Sequence, residues 1–186
     1  MGSKQRDIEI IAIFWPPRHG KSMLAAYLAS DRIDRIYGNL SIKLNDFPIT
    51  SKITHHSQYA EFTDSETPWY NIVDELGLNF NSKDAMTKKN KAFSNYIFLS
   101  WKRNLSTMWL AQRWMSIPVD FRENATTIYE CKKIDRWHLY PIFEIVEHIQ
   151  LQDWTLEEKK SVRMDLIKWL EVLGISYDTF ETSYIE

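Results

Sequence analysis

The feature that most constrains this chain is an apolar run that leads into a glycine-lysine-serine triplet and then a helix. Residues 8–14 are mostly apolar and β-branched, which predicts a buried strand. Residues 15–20 contain proline and glycine and predict a loop, and residues 21–30 have the apolar spacing of a helix. A strand, a loop and a helix in this order form a βα unit, so this segment indicates an α/β fold.

The triplet Gly20-Lys21-Ser22 lies where the predicted strand turns into the predicted helix. Backbone N–H groups at such a turn can surround phosphate oxygens, helped by the positive end of the helix. Lys21 can reach the β- and γ-phosphates, and the Ser22 hydroxyl can bind Mg²⁺. The sequence therefore predicts a binding site for ATP and Mg²⁺. Its predicted loop residues are Pro16, Pro17, Arg18, His19, Gly20, Lys21 and Ser22.

Trp15 departs from the usual phosphate-loop pattern G-x-x-x-x-G-K-[ST], because it stands where the first glycine is expected. Glycine normally relieves crowding where the loop leaves the strand. Pro16 and Pro17 can stiffen an altered path. Two alternatives stay open at this point: a chance Gly-Lys-Ser triplet, and a loop that binds nucleotide but hydrolyses little.

Two further predicted strands end in polar side chains. Trp69–Val73 is followed by Asp74 and Glu75, and the strand over residues 107–111 is followed by Gln112. The carboxyl ends of strands are where an α/β sheet presents its ligands. Asp74 can hold Mg²⁺, Glu75 can polarise an attacking water, and Gln112 can bond to both the γ-phosphate and that water. The alternative is that these are ordinary solvated strand ends.

The rest of the chain predicts a three-layer α/β P-loop NTPase fold with a mainly parallel central sheet. A helix over residues 85–103 and a strand over residues 125–130 complete a predicted ATPase core, residues 1–135. Residues 136–186 are expected to be a mainly helical C-terminal extension, packed on this core or on a neighbouring subunit. Its main element is an amphipathic helix over residues 154–173, with Thr155 and Glu158 as a capping box and Gly174 as its stop.

The order of these motifs resembles the FtsK–HerA superfamily of DNA-pumping ATPases, especially small viral genome-packaging ATPases and zonula occludens toxin-like phage assembly proteins. The resemblance covers residues 8–130. The matching segments are Trp15-Pro16-Pro17-Arg18-His19-Gly20-Lys21-Ser22, Asn71-Ile72-Val73-Asp74-Glu75, Trp101-Lys102-Arg103-Asn104, Leu110-Ala111-Gln112-Arg113 and Phe121-Arg122-Glu123-Asn124-Ala125.

This resemblance implies a catalytic role for the acidic pair and a sensor role for Gln112. It also implies a homo-oligomeric ring in which an arginine from the neighbouring subunit completes each site. Arg103 and Arg122 both lie in family-like positions for that arginine, and a guanidinium near the γ-phosphate stabilises charge in the transition state. For either residue, a structural ion pair is the alternative.

The charge of the chain limits which kinds of nucleic-acid binding are expected. The net charge of −2 excludes a generally basic nucleic-acid coat. A lysine cluster can still track DNA phosphates in a ring, or it can be one solvated helix face. The cluster consists of Lys83, Lys88, Lys89 and Lys91.

The single cysteine, Cys131, excludes an intrachain disulfide and suits a reducing cytoplasm, that of the host if the protein is viral. No apolar run approaches the ~20 residues of a membrane span.

The function expected from these patterns is ATP hydrolysis coupled to translocation of double-stranded DNA, most concretely viral genome packaging, with capsid proteins as possible partners. Two other functions remain open. A small-molecule kinase would share the phosphate loop but needs an acceptor pocket, and a nucleotide-binding assembly scaffold would hydrolyse little.

Overall fold

The structure is a computed structural model that describes residues 8–30, 35–53, 55–59, 69–76, 87–103, 105–134 and 141–179. Its strands are β1 (Ile10–Phe14), β2 (Arg35–Gly38), β3 (Leu40–Leu44), β4 (Phe47–Pro48), β5 (Thr50–Lys52), β6 (Trp69–Val73), β7 (Leu105–Ala111), β8 (Thr127–Lys133), β9 (Phe143–Gln150), β10 (Leu156–Met164) and β11 (Ile175–Thr179). The helices are α1 (Lys21–Ala29), α2 (Lys88–Arg103), α3 (Val119–Asn124) and α4 (Leu166–Leu173), with a 3-10 turn at Trp114–Ser116.

The main sheet has eight strands among the described residues, in the order β10-β9-β8-β1-β7-β6-β2-β5. The pairs from β8 through β5 are all parallel, and β9 and β10 add an antiparallel edge. The predicted mainly parallel sheet is therefore confirmed. Strand β7 lies between β1 and β6, so the carboxyl ends of these three strands meet at one edge of the sheet.

The core lies on both faces of this sheet, because alternate residues of a strand point in opposite directions. Ile10, Ala12 and Phe14 of β1 pack into one cluster, which includes buried rings from α2, α3 and β7. Ile11 and Ile13 pack into the other, together with apolar side chains of α1 and α4. This gives the predicted three layers: helices, sheet and helices.

The chain changes sheets at Asn39. Strand β2 ends at Gly38 in the main sheet, and β3 starts at Leu40 in a second sheet ordered β11-β3-β4. Gly38 approaches β6 so closely that an added Cβ would lie 2.0 Å from the carbonyl oxygen of Ile72. Any larger residue at Gly38 would therefore push β2 away from β6.

The predicted helix over residues 154–173 is wrong. Leu156–Met164 is strand β10, paired antiparallel to β9 with a register shift between Glu158 and Lys160, and only Leu166–Leu173 is helical. Cross-strand hydrogen bonds to β9 override a local apolar spacing that also suits a helix. The expectation of a mainly helical region 136–186 is wrong for the same reason, since β9, β10 and β11 make up most of its described part.

The predicted start of this helix is wrong, whereas its predicted end at Gly174 is confirmed. Thr155 does not cap a helix; its hydroxyl donates to Asp153 Oδ1 in the β9–β10 turn. The actual cap is Asp165, whose side chain accepts from the Lys168 backbone N–H at 3.0 Å. Gly174 ends the helix with a left-handed φ of 67°, as predicted. In the described ranges, every helix is too short or too polar to cross a bilayer.

Candidate nucleotide-binding site

The loop between β1 and α1 has the backbone geometry of a phosphate cradle. Arg18 and Gly20 both have positive φ angles, 66° and 88°. At Gly20 an added Cβ would lie 2.6 Å from Cε1 of Phe143, so both the backbone conformation and the packing require glycine. Helix α1 starts directly after it, at Lys21. The loop therefore presents its backbone to the start of a helix, which suits an anion.

Strand β8 holds the outer side of this loop. The Lys133 backbone N–H donates to Nδ1 of His19 at 3.2 Å, and the Cys131 thiol donates to the His19 carbonyl oxygen at 3.1 Å. Burial raises the pKa of Cys131 to about 12, so the thiol stays protonated at neutral pH. Cys131 therefore anchors the loop as a small buried residue, and its protonated thiol is a poor nucleophile.

Trp15 is accommodated beside the loop. Its backbone N–H donates to the Ala111 carbonyl oxygen at 3.2 Å, which continues the contact between β1 and β7. Its ring meets the His19 ring edge-on, and the Lys132 ammonium lies 4.9 Å from its centroid. Glu130 holds that ammonium at 2.6 Å. The large side chain thus packs against His19 of the loop and Lys132 of β8, and also against the core cluster.

Lys21 is the first residue of α1 and is only 6% exposed. Its ammonium donates to the carbonyl oxygens of Trp15 at 2.7 Å and Pro16 at 3.3 Å. Burial lowers the pKa of Lys21, while the charges of Glu75 and Asp74 act to raise it. A buried cation with two acidic neighbours gains further stabilisation from a phosphate anion.

Asp74 is fixed by a buried asparagine. Asn39 donates from Nδ2 to the Asp74 carbonyl oxygen at 2.8 Å, and its Oδ1 accepts from the Asp74 N–H at 2.6 Å. The Ser22 hydroxyl donates to Asp74 Oδ2 at 3.3 Å. Burial, and then the charge of Glu75, raises the pKa of Asp74. Serine and aspartate oxygens are the ligands that Mg²⁺ prefers, and a cation would offset both effects, so this donor set fits the predicted metal.

Glu75 and Gln112 are brought together at the same edge. Glu75 has a positive φ of 51°, which turns it out of the line of β6, and its N–H donates to Asp74 Oδ1 at 2.8 Å. Gln112 donates from Nε2 to Glu75 Oε2 at 3.1 Å. Gln112 follows β7, the strand between β1 and β6, so sheet order alone explains this meeting.

Lys21, Ser22, Asp74 and Glu75 border a cavity of about 390 Å³. It is lined by Pro17, Arg18, Gly20, Lys21, Ser22, Met23, Asp74, Glu75 and Tyr177. Sequence reasoning missed Asn39 and Tyr177. The break in the apolar pattern at Gly38-Asn39 is a signal for the first, whereas nothing in the sequence around Tyr177 marks it.

Solved structures share the fold of this chain over most of their length. The N-terminal domain of zonular occludens toxin from Neisseria meningitidis has a TM-score of 0.56 and 12% identity, covering 95% of this chain and 96% of that chain. The genome packaging NTPase B204 from Sulfolobus turreted icosahedral virus 2, in complex with ATP-gammaS, has a TM-score of 0.53 and 14% identity, covering 82% and 97%. The chain shares the fold of these two proteins. The predicted resemblance is thus confirmed at the level of the fold.

No family model and no curated protein sequence matches the chain. The DNA-packaging ATPase B204 from Sulfolobus turreted icosahedral virus gives the same picture as its relative, with a TM-score of 0.53, 13% identity and coverage of 83% and 98%. Because the identities are this low, these comparisons show the fold alone. The roles proposed for individual residues depend on the geometry of the site.

Of the two arginines expected to act between subunits, Arg122 does not line the cavity. Arg103 is the last residue of α2, and its side chain lies outside the described part of the structure. Arg122 is only 6% exposed; its guanidinium lies 5.1 Å from the Trp154 ring and 5.9 Å from the Trp114 ring. Its Nη1 also contacts Met115 Sδ at 3.1 Å. In the single chain, Arg122 is therefore packed among aromatic rings.

The lysines expected to track DNA differ in their exposure to solvent. Lys88 and Lys91 are exposed at the start of α2, whereas Lys89 is half-buried and burial lowers its pKa. Lys83 lies outside the described residues. Two exposed cations on one helix end fit either a phosphate contact or a solvated face.

Proposed function

We propose that this protein is an ATPase that couples ATP hydrolysis to translocation of double-stranded DNA, in the packaging of a viral genome. The observation that carries the proposal is the convergence of five side chains at one edge of the sheet. These are Lys21, Ser22, Asp74, Glu75 and Gln112. Each matches a part that phosphoryl transfer to water requires.

The chemistry assigns one task to each group. Backbone N–H groups of the loop and the Lys21 ammonium hold the phosphate chain. Ser22 and Asp74 would hold Mg²⁺, which when bound neutralises charge on the phosphate oxygens. Glu75 accepts a proton from the attacking water. The water oxygen bonds to the γ-phosphorus, and the bond to the β–γ bridging oxygen breaks with ADP as the leaving group. Gln112 orients the Glu75 carboxylate through their hydrogen bond.

The pairing of Glu75 with Gln112 favours water as the phosphoryl acceptor over a small molecule. An amide that donates to a carboxylate keeps that carboxylate turned toward the end of the phosphate chain. This supports hydrolysis and weighs against the kinase alternative. Phosphate release with ATP alone distinguishes the two, since a kinase needs its acceptor.

The motor assignment draws on the structural neighbours. B204 is a genome-packaging NTPase, and it has been solved in complex with ATP-gammaS. We propose a homo-oligomeric ring for this chain as well, with Arg103 or Arg122 acting on the neighbouring site, with α2 lysines along the DNA, and with capsid proteins as partners. A ring would gather lysines such as Lys88 and Lys91 around one pore, although the net charge of the chain is negative.

The test is phosphate release by the purified chain, with and without duplex DNA, across a range of protein concentration. Activity that DNA stimulates supports the motor. Lys21→Ala should abolish turnover, because the backbone amides alone cannot offset the phosphate charge. Lys160→Ala is the matched control, since Lys160 is exposed on β10, and it should retain wild-type turnover. Unchanged hydrolysis in Lys21→Ala would overturn the assignment of the site.

A further inference from the structure

One residue that lines the cavity, Tyr177, lies near the C-terminal end of the described chain. Tyr177 lies on β11, where it is paired with Ile42 of β3. Its side chain is half-buried, packs against the core cluster that includes α1, and lines the same cavity as Lys21, Ser22 and Asp74. A tyrosine in this place brings an aromatic ring and a phenolic hydroxyl to a cavity whose other described lining residues are not aromatic.

The phenol oxygen of Tyr177 lies within electrostatic reach of Asp74. Burial raises the pKa of Tyr177, and the Asp74 carboxylate raises it further. Because the pKa lies above the ordinary value of 10, the hydroxyl is protonated throughout the neutral range and can donate a hydrogen bond. Asp74 lines the part of the cavity where Mg²⁺ would be held.

The backbone fixes this arrangement from two directions. Strand β3 begins directly after Asn39, and the Asn39 side chain holds both backbone groups of Asp74. Strand β11 pairs with β3 along its whole length, from Leu44 to Leu40. Asp74 is thus held by the residue that precedes β3, and Tyr177 lies on the strand that pairs with β3. Because both connections run through β3, the sheet fixes the distance between the two residues.

We propose that Tyr177 is a positioning residue of the nucleotide site, whose hydroxyl donates a hydrogen bond to the oxygen atoms of the magnesium–triphosphate group beside Asp74. This rests on the proposed nucleotide binding. It adds a residue from the C-terminal strand to a site otherwise built from the phosphate loop and the ends of β6 and β7. The bonded group belongs to the metal-bound end of the ligand, so the contribution of Tyr177 depends on Mg²⁺.

The experiment is calorimetric titration of the full chain with ATP-gammaS, once with Mg²⁺ and once with EDTA. Tyr177→Phe removes only the hydroxyl. It should raise Kd about 5- to 10-fold with Mg²⁺, the effect of one hydrogen bond, and less than about 2-fold with EDTA. Tyr27→Phe is the matched control, because Tyr27 is also half-buried against the same core cluster but does not line the cavity. It should bind as the wild type does under both conditions.

Thermal unfolding of each variant separates a local effect from a folding defect. Tyr177→Phe should keep a wild-type Tm, while Tyr177→Ala should lower it and weaken binding further. Equal affinity of Tyr177→Phe and wild type with Mg²⁺, or an equal loss with and without Mg²⁺, would overturn the assignment while leaving the proposed ATPase intact. If the wild type binds no ATP-gammaS at all, both proposals fail together.

Discussion

Replacing Asn39 by alanine should weaken both the fold and the metal site. Asn39 is fully buried and makes two hydrogen bonds to the backbone of Asp74, at 2.8 and 2.6 Å. Alanine would leave the N–H and C=O of Asp74 without these partners. Each such buried group costs about 1–3 kcal/mol, so we expect a loss of roughly 2–6 kcal/mol in the free energy of unfolding. For a chain of this size, at about 2–4 °C per kcal/mol, that lowers Tm by roughly 4–24 °C.

The assay is thermal unfolding followed by circular dichroism, together with ATP-gammaS affinity measured with Mg²⁺. Asn95→Ala is the matched control, because Asn95 is exposed on α2 and should change stability by no more than about 0.5 kcal/mol. Asn39→Asp offers a second comparison. It keeps an acceptor for the Asp74 N–H but places an anion against the Asp74 carbonyl oxygen, so it should be at least as damaging. A wild-type Tm and affinity in Asn39→Ala would refute the view that this side chain holds Asp74 in place.

Three further outcomes are expected. Glu75→Gln should bind ATP and Mg²⁺ normally but lose at least ~10²-fold in phosphate release, because an amide cannot take the proton of water. Alanine at whichever of Arg103 and Arg122 acts between subunits should lower turnover by roughly 10³-fold with ATP affinity retained, and mixing with Glu75→Gln subunits should restore activity; flat specific activity on dilution and no rescue would count against a ring. Asp74→Asn should raise Tm at neutral pH while abolishing Mg²⁺-dependent binding. The raised pKa of Asp74 means that the folded chain binds its proton more tightly, so wild-type stability recovers as pH falls into the window above 3.8 and the advantage of the variant shrinks there.

The sequence predicts the strand, loop and helix start around Gly20, and the strand ends at Asp74 and Gln112, because their signals are local. An apolar run, a turn and a helix start are each read within a few residues, and strand order then brings Asp74, Glu75 and Gln112 to one edge. Strand β10 is different. Its residues alternate poorly and are almost all exposed, so only pairing with β9 makes them a strand. Tyr177 was missed for a related reason, since its place in the site depends on β11 reaching β3.

That distant pairing also orders events during synthesis. Strand β3 lies in the first quarter of the chain, whereas its neighbour β11 is the last described strand. A nascent chain can begin to form β1, the phosphate loop and β6 to β8 while translation continues, but contacts between distant segments form late. The cavity therefore gains Tyr177 only after that residue has left the ribosome, so a chain still being translated can have the β1–α1 loop without the complete cavity.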